Sequence, residues 1–306
     1  MGGIAVAAWG FNDYGNTDVP LPNIKFVNVE AGSAHSLGIK VDGSIVAWGD
    51  NNYGQCDIPG LNADYVAISS QNVYSLALNK YGQVKAWGDN RYGQCDVPTP
   101  NSDFLEVSAG YSHSLGLKSD GSIVAWGYNY SGVCDVPLPN SNFVAVAAGA
   151  FVSLGLKSDG SIVAWGDRDL SVNDIPEPNS GFVAIDAFDN QYIALRADGT
   201  IVAWGNDGYG QCDVPEPNSH FVGISAGYLY NIGMKSDGSI VAFGGGYIPY
   251  SSEYPYVPDY VPEPQNRFVD VAASGYYCLA LHSLTSLSVT IEPQAVREAG
   301  AQWSID

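Results

Sequence analysis

An all-β, seven-bladed β-propeller is what this 306-residue sequence predicts, on three observations. Tryptophan recurs at Trp9, Trp48, Trp87, Trp126, Trp165 and Trp204, each 39 residues after the last, and Phe243 takes the seventh place. Six whole copies of one unit lie between two fragments: residues 4–10 (IAVAAWG) are only the end of a unit, and residues 268–281 (FVDVAASGYYCLAL) only its beginning. The fragments complement each other into a seventh copy. An open stack of repeats needs atypical caps at both ends, whereas a ring needs its last unit finished by the first strand of the chain, so the split predicts closure. The third observation is an Asp-Gly pair between short apolar runs in most copies, the signature of a tight hairpin.

The unit reads most cleanly over Phe143–Asn179. Its first strand is Phe143–Ala148, headed by an aromatic residue that recurs as Phe26, Tyr65, Phe104, Phe182 and Phe221 and otherwise made of small residues suited to a crowded place. Ser153–Lys157 is the second strand and Ser161–Trp165 the third, joined by Ser158-Asp159-Gly160; Asp42-Gly43, Asp120-Gly121, Asp198-Gly199 and Asp237-Gly238 are the equivalent turns. Ile162-Val163-Ala164-Trp165 is apolar on both alternating sets of positions, so both faces of the sheet are covered, as blades stacked around an axis require. The recurrent tryptophan then supplies bulk between neighbouring sheets. The unit closes on Cys-Asp-Val-Pro-x-Pro-Asn, as at 95–101 and 212–218; proline cannot donate to a ladder, so this is an edge strand or an inter-blade linker. Radial repetition of small antiparallel sheets at this length is a propeller.

Two segments fall outside the unit. Gly244–Gln265 is an insertion in the linker after Phe243, rich in Tyr and Pro. Residues 284–306 carry an alternating strand at Leu287–Ile291 and a second at Gln302–Ile305, too short for a domain; the propeller is expected over 1–283 and the tail as the start of a further β-rich module, or as a local appendage.

Twelve basic against 32 acidic residues give a net charge of −20, which repels phosphate backbones and anionic lipid: neither nucleic acid nor membrane insertion is expected. No apolar run reaches the roughly 18 residues of a spanning helix. Cys56, Cys95, Cys134 and Cys212 share one register on different blades, too far apart to bridge and without paired C-x-x-C spacing, so they read as small, partly buried thiols.

Site chemistry is sparse. His35 and His113 occupy a register that also holds Tyr74, Val152, Gln191, Tyr230 and Tyr277, so the ring does not require imidazole there; His220 and His282 stand alone. There is no G-x-S-x-G, no H-E-x-x-H and no phosphate loop. Asp50-Asn51 and Asp89-Asn90 lack the alternating ligands and terminal Glu of a calcium loop and read as turns. Asn129-Tyr130-Ser131 matches a glycosylation acceptor by spacing alone. Two carboxylates converging in the axial channel are the remaining opening for catalysis. The expectation is no enzyme, no cofactor and no metal.

The pattern A-G-x-x-H-S-L-x-L-K-x-D-G-x-I-x-A-W-G-D-N-x-Y-G-Q, nearly whole from Ala31 to Gln55, resembles the repeat of the regulator of chromosome condensation family, and the resemblance covers about 280 residues. The compact unit and the Asp-Val-Pro linker look closest to bacterial members, among them the type II β-lactamase inhibitor proteins. That resemblance implies a secreted or cell-surface binding protein, with the loops of one face supplying aromatic and acidic contacts to an enzyme. The eukaryotic branch implies nucleotide exchange and chromatin docking through basic tails and a protruding wedge, and no stretch of this sequence matches either.

Alternating strand direction puts the loop after Ala-Gly and the loop after Trp-Gly at the same end of the ring and the Asp-Gly hairpins at the other. Positions that differ from copy to copy are free to serve a partner. In the first loop these include Tyr111, Phe151, Tyr228 and Tyr276, read as recognition residues. In the second they include Arg91, Tyr130 and Asp169, beside the recurrent Tyr14, Tyr53, Tyr92 and Tyr209. The recurrent tyrosines have two readings: packing beneath the Gly-Gln turn, or joining the recognition surface. The expectation is a monomeric scaffold that binds a protein, an inhibitor in the finer reading, with a carbohydrate-binding or adhesive module of a bacterial surface protein as the alternative.

Overall fold

The structure is a computed structural model, and it describes residues 3–166, 174–245, 261–262 and 267–284. The tail, most of the insertion after Phe243, and Asp169 lie outside the described residues. The chain opens with β1 (Ile4–Gly10), and six three-stranded antiparallel sheets follow. Blade I is β2 (Phe26–Ala31), β3 (His35–Lys40) and β4 (Ile45–Gly49); blade II is β5 (Tyr65–Gln71), β6 (Tyr74–Asn79) and β7 (Val84–Gly88). Blade III is β8 (Phe104–Ala109), β9 (His113–Lys118) and β10 (Ile123–Gly127); blade IV is β11 (Phe143–Ala148), β12 (Val152–Lys157) and β13 (Ile162–Gly166). Blade V is β14 (Phe182–Phe188), β15 (Gln191–Arg196) and β16 (Ile201–Gly205); blade VI is β17 (Phe221–Ala226), β18 (Tyr230–Lys235) and β19 (Ile240–Gly244). Blade VII combines β20 (Phe268–Ala273) and β21 (Tyr277–Ser283) with β1, which pairs antiparallel with β21 from Ile4↔Ser283 to Gly10↔Tyr277. The ring is closed as the split repeat predicts.

The core lies between blades. Trp126 of blade III packs with Tyr74, Leu76 and Leu78 of blade II and with Phe104 of its own blade, and its Nε1 donates to the Gln94 carbonyl at 2.9 Å. The closing seam is filled in the same way: Val6, Leu279 and Leu281 of blade VII pack against Phe26, Val29 and Trp48 of blade I. A register of side chains adds polar ties across the seams. Tyr74 Oη donates to the His113 carbonyl, Tyr277 Oη to the His35 carbonyl and Tyr230 Oη to the Tyr277 carbonyl at 2.7 Å, while His35 and His113 Nε2 meet Ser75 and Ser153 Oγ, both at 2.9 Å. Each serine hydroxyl already donates to a carbonyl, Ser75 to Gln55 and Ser153 to Val133, so the imidazole Nε2 is the donor and the ring is the neutral Nε2–H tautomer.

Of the two readings for the closing segment, the structure takes the linker, with a device of its own. Asn62 Oδ1 accepts from the Ile45 N–H and its Nδ2 donates to the Ile45 carbonyl, both at 2.7 Å. Asn23, Asn101, Asn140, Asn179 and Asn218 grip Val6, Val84, Ile123, Ile162 and Ile201 identically. One amide side chain thus satisfies the outer strand where a fourth strand would pair, covering an otherwise open edge.

Candidate protein-binding face

The two loop sets share one end of the ring, tied by backbone bonds such as Asp50 N–H to the Ala34 carbonyl (2.9 Å), Tyr128 N–H to Ser112 (2.9 Å) and Phe11 N–H to Tyr276 (3.0 Å). The Trp-Gly glycine makes that approach: Gly49 sits at φ +100° with a Cβ position 2.6 Å from the Ala34 carbonyl oxygen, so no side chain fits.

The turn that follows is held by glutamine, not tyrosine. Gln55, Gln94 and Gln211 are fully buried, and each accepts the N–H of the recurrent tyrosine two residues earlier: Tyr53 at 2.9 Å, Tyr92 at 3.0 Å and Tyr209 at 2.8 Å. Tyr14, Tyr53, Tyr92 and Tyr209 stay 37–52% exposed, so the fully buried place in the turn belongs to the glutamine and the tyrosines are half-buried at the surface. Asn51 completes the turn, donating to Asp57 and accepting from Cys56 N–H, both at 2.9 Å; Asn129 does the same with Asp135 and Cys134. Among the described residues no three His, Cys, Asp or Glu side chains converge on a metal position. Burial pushes the thiols of Cys56 and Cys134 up to about 11, with Asp50 and Asp135 respectively adding to it, so they are protonated packing groups.

The first-loop residues Tyr111, Phe151, Tyr228 and Tyr276 are all partly exposed. Tyr228 and Tyr276 meet edge to face at 5.4 Å; Phe188 joins Tyr228 at 6.5 Å and Phe11 joins Tyr276 at 6.5 Å. Burial, with Tyr228 and Tyr209 nearby, raises the Tyr276 phenol above its ordinary value. Tyr111, Tyr92 and Phe151 line a hollow of about 200 Å³ between blades III and IV, together with Tyr128. Tyr128 stacks on Tyr130, the most exposed of these rings at 85%, and packs against Tyr92 at 5.0 Å. Arg91 forms a salt bridge to Asp89 at 2.9 Å and lies over the Tyr53 ring at 5.1 Å. Tyr53 and Tyr209 border neither the hollow between blades III and IV nor the one on the axis that takes in Tyr228 and Tyr276. Phe11, Tyr128 and Phe188 are outside the set that the sequence singles out. Tyr128 stands where the repeat has Asp50 and Asp89, and Phe188 where it has Gly32, so departure from the repeat is the signal for both.

Basic groups are concentrated at the hairpin end, beside the turn aspartates Asp42, Asp120, Asp159, Asp198 and Asp237. Lys40, Lys118 and Lys157 lie 3.5 Å over Phe26, Phe104 and Phe143 at the hairpin end, where they donate to linker carbonyls such as that of Pro22 (2.8 Å). Arg196 and Lys235 repeat the arrangement over Phe182 and Phe221. Among the described residues Arg91 is the one Lys or Arg in the two loop sets, which hold Asp13, Asp50, Asp89, Asp189 and Asp207. The loop end is aromatic and acidic.

Residues 26–55 and 104–133 match the family model of the regulator of chromosome condensation (RCC1) repeat. Comparison with curated proteins by sequence finds no match. Among solved structures, Prp20p from Saccharomyces cerevisiae, described with its binding to Gsp1p and histones, is similar over 93% of this chain and 92% of its own at 16% identity, with a TM-score of 0.74. Yeast RCC1 (Prp20) bound to Kap60 is similar over 94% of this chain and 90% of its own at 17% identity and a TM-score of 0.75. The CRINKLY WD40 ectodomain of the Arabidopsis thaliana receptor kinase ACR4 is similar over 86% of this chain and 95% of its own at 23% identity and a TM-score of 0.63. At these identities the likeness is one of fold. The chain thus carries two stretches that match the regulator of chromosome condensation repeat, in a seven-bladed propeller closed through β1.

Proposed function

We propose that the chain is a non-enzymatic scaffold that recognises a protein partner through the loop end of the ring. The observation that carries this reading is that half-exposed aromatic rings gather at the loop end on positions that vary between blades, with Tyr81 the exposed ring at the hairpin end, while the recurrent Trp, Asn and hairpin residues build the ring. Large, rigid aromatic side chains in a setting of loops are the usual anchors of protein interfaces. Yeast Prp20, which shares this fold, is described with its binding to Gsp1p and histones and as bound to Kap60, which supports a protein partner here. In its finer form the reading is that of a bacterial protein acting outside the cell, as the resemblance to inhibitor-type members implies, which blocks an enzyme by covering its site. The loop residues differ too much for seven equal sugar pockets, which sets a glycan second.

The test is affinity capture from secreted and surface protein extracts, comparing the wild-type ring with a Tyr111→Ala/Phe151→Ala/Tyr228→Ala variant that has the same thermal unfolding midpoint. A protein retained by the wild type and lost by the variant supports the reading. If both rings retain the same proteins, or neither retains any, the protein-binding reading fails and a glycan array takes its place.

A further inference from the structure

At the loop end of the innermost strand blades I, III, IV and VI carry glycine, and the packing demands a small residue. A Cβ on Gly110 would stand 2.6 Å from the His113 ring and 2.7 Å from the Gly149 carbonyl; one on Gly149 would stand 2.6 Å from the Asp189 carbonyl. Blade VII has the small Ser274 there, but blades II and V carry Gln71 and Phe188, and the residue after each, Asn72 (φ 53°) and Asp189 (φ 52°), takes a left-handed conformation. Because the ring closes with glycine or serine at the equivalent place elsewhere, these two long side chains are additions the fold does not require. Both line a hollow of about 210 Å³ to which every blade contributes, so it sits on the ring axis at the channel mouth. Its walls are Tyr111, Phe188, Tyr228 and Tyr276.

Two acceptors of this mouth, Gln71 Oε1 and the Asp189 carboxyl, lack a donor. Gln71 is 4% exposed, yet its Oε1 has no hydrogen-bond partner. Asp189 lines the hollow, half-buried, with no Lys, Arg or His within ion-pair distance among the described residues, and burial raises its carboxyl above the ordinary carboxylate range. Four backbone N–H groups of the rim are already spent on the next blade: Ser33 on the Asn72 carbonyl (3.1 Å), Tyr111 on Gly149 (3.1 Å), Ala150 on Asp189 (2.9 Å) and Tyr228 on Ser274 (3.2 Å). An unpaired carboxylate, a buried amide oxygen without a donor and four aromatic walls each favour positive charge and repel anions.

We propose that the channel mouth is a binding site for an organic cation, an alkylammonium or guanidinium head group seated among Tyr111, Phe188, Tyr228 and Tyr276 with Asp189 as its counter-charge. The head group is either a free quaternary ammonium compound or the basic side chain of a partner. The site stands whether or not a protein is captured by the loop face, so the two readings fail separately.

Titration calorimetry on the full chain tests it, with choline, its uncharged isostere 3,3-dimethylbutanol, and short peptides carrying arginine or trimethyl-lysine as probes. Choline or a peptide should bind, and the isostere should bind about tenfold more weakly than choline. Tyr228→Ala and Asp189→Asn should each weaken the cation by about fivefold or more, and Asp42→Asn at the hairpin end should not change it. Gln71→Gly installs the residue that blades I, III, IV and VI carry, so it keeps the fold and should still weaken binding. A peptide that outcompetes choline identifies a partner's side chain as the ligand, and the reverse a free cation. Equal binding of choline and its isostere overturns the proposal. So does an Asp42→Asn effect as large as that of Asp189→Asn, or no binding of any cationic probe.

Discussion

Replacing both imidazoles of the seam register should remove a defined part of the protein's sensitivity to acid. His35 and His113 are fully buried as neutral rings, and burial lowers each from an ordinary 6.5 to about 3. The unfolded chain takes up a proton on each as the pH falls through 6.5, whereas the folded ring refuses it until about 3. Their contribution is therefore complete above the unfolded value and is lost progressively on acidification. Between about pH 8 and about pH 5 the loss works out at about 2 kcal/mol for each ring and about 4 kcal/mol for the pair, a figure unchanged for any folded value below about 4. His35→Tyr and His113→Val install residues that the same register already holds in Tyr74 and Val152, so the fold has precedent for both. Asp186, whose carboxyl burial pushes up to about 6, works in the opposite direction but is common to both proteins and cancels. Urea unfolding followed by tryptophan fluorescence at the two pH values gives the comparison directly. The double variant should lose about 4 kcal/mol less than the wild type on acidification. Parallel losses would refute the burial of neutral imidazole in the seams.

Three further outcomes follow from the packing. Trp126→Ala should cost about 3–5 kcal/mol in urea unfolding, because it empties an inter-blade site and leaves the Gln94 carbonyl without the indole donor. Asn62→Ala should cost about 1–3 kcal/mol, since both backbone groups of Ile45 lose their partner, and Asn62→Asp should cost at least as much by removing the donor; equal stability would show that the linker amide is not an edge clasp. A chain lacking residues 1–23 loses β1 and its Asn23 clasp, exposing the β21 edge, and should self-associate on size-exclusion chromatography; a monomer of unchanged midpoint would contradict closure.

The ring is legible in the sequence because it rests on arithmetic. The 39-residue interval, the fragments at 4–10 and 268–281 and the Asp-Gly turns fix blade number, closure and the end at which the loops gather, and none of these depends on side-chain detail. What escapes such a reading depends on burial or convergence. The Tyr-Gly-Gln turn offers two candidates for the inside, and hydrogen-bonding capacity decides: Gln55 can satisfy a buried N–H while packing, whereas the Tyr53 ring cannot. The linker Asn lies seventeen residues from the strand it clasps, a separation no local pattern announces. Gln71 and Phe188 are the last residues of β5 and β14, and only a closed ring brings them within one hollow with Tyr111, Tyr228 and Tyr276.

The central claim is that recognition belongs to the loop end. A photo-crosslinking amino acid placed at position 111, 151 or 228, and in separate chains at the hairpin positions 120, 159 or 237, addresses it whatever the partner is. Incubated with secreted and surface protein extracts, the three loop-end chains should yield a common covalent adduct and the three hairpin-end chains none. Adducts confined to the hairpin end, or absent from both, would contradict the account.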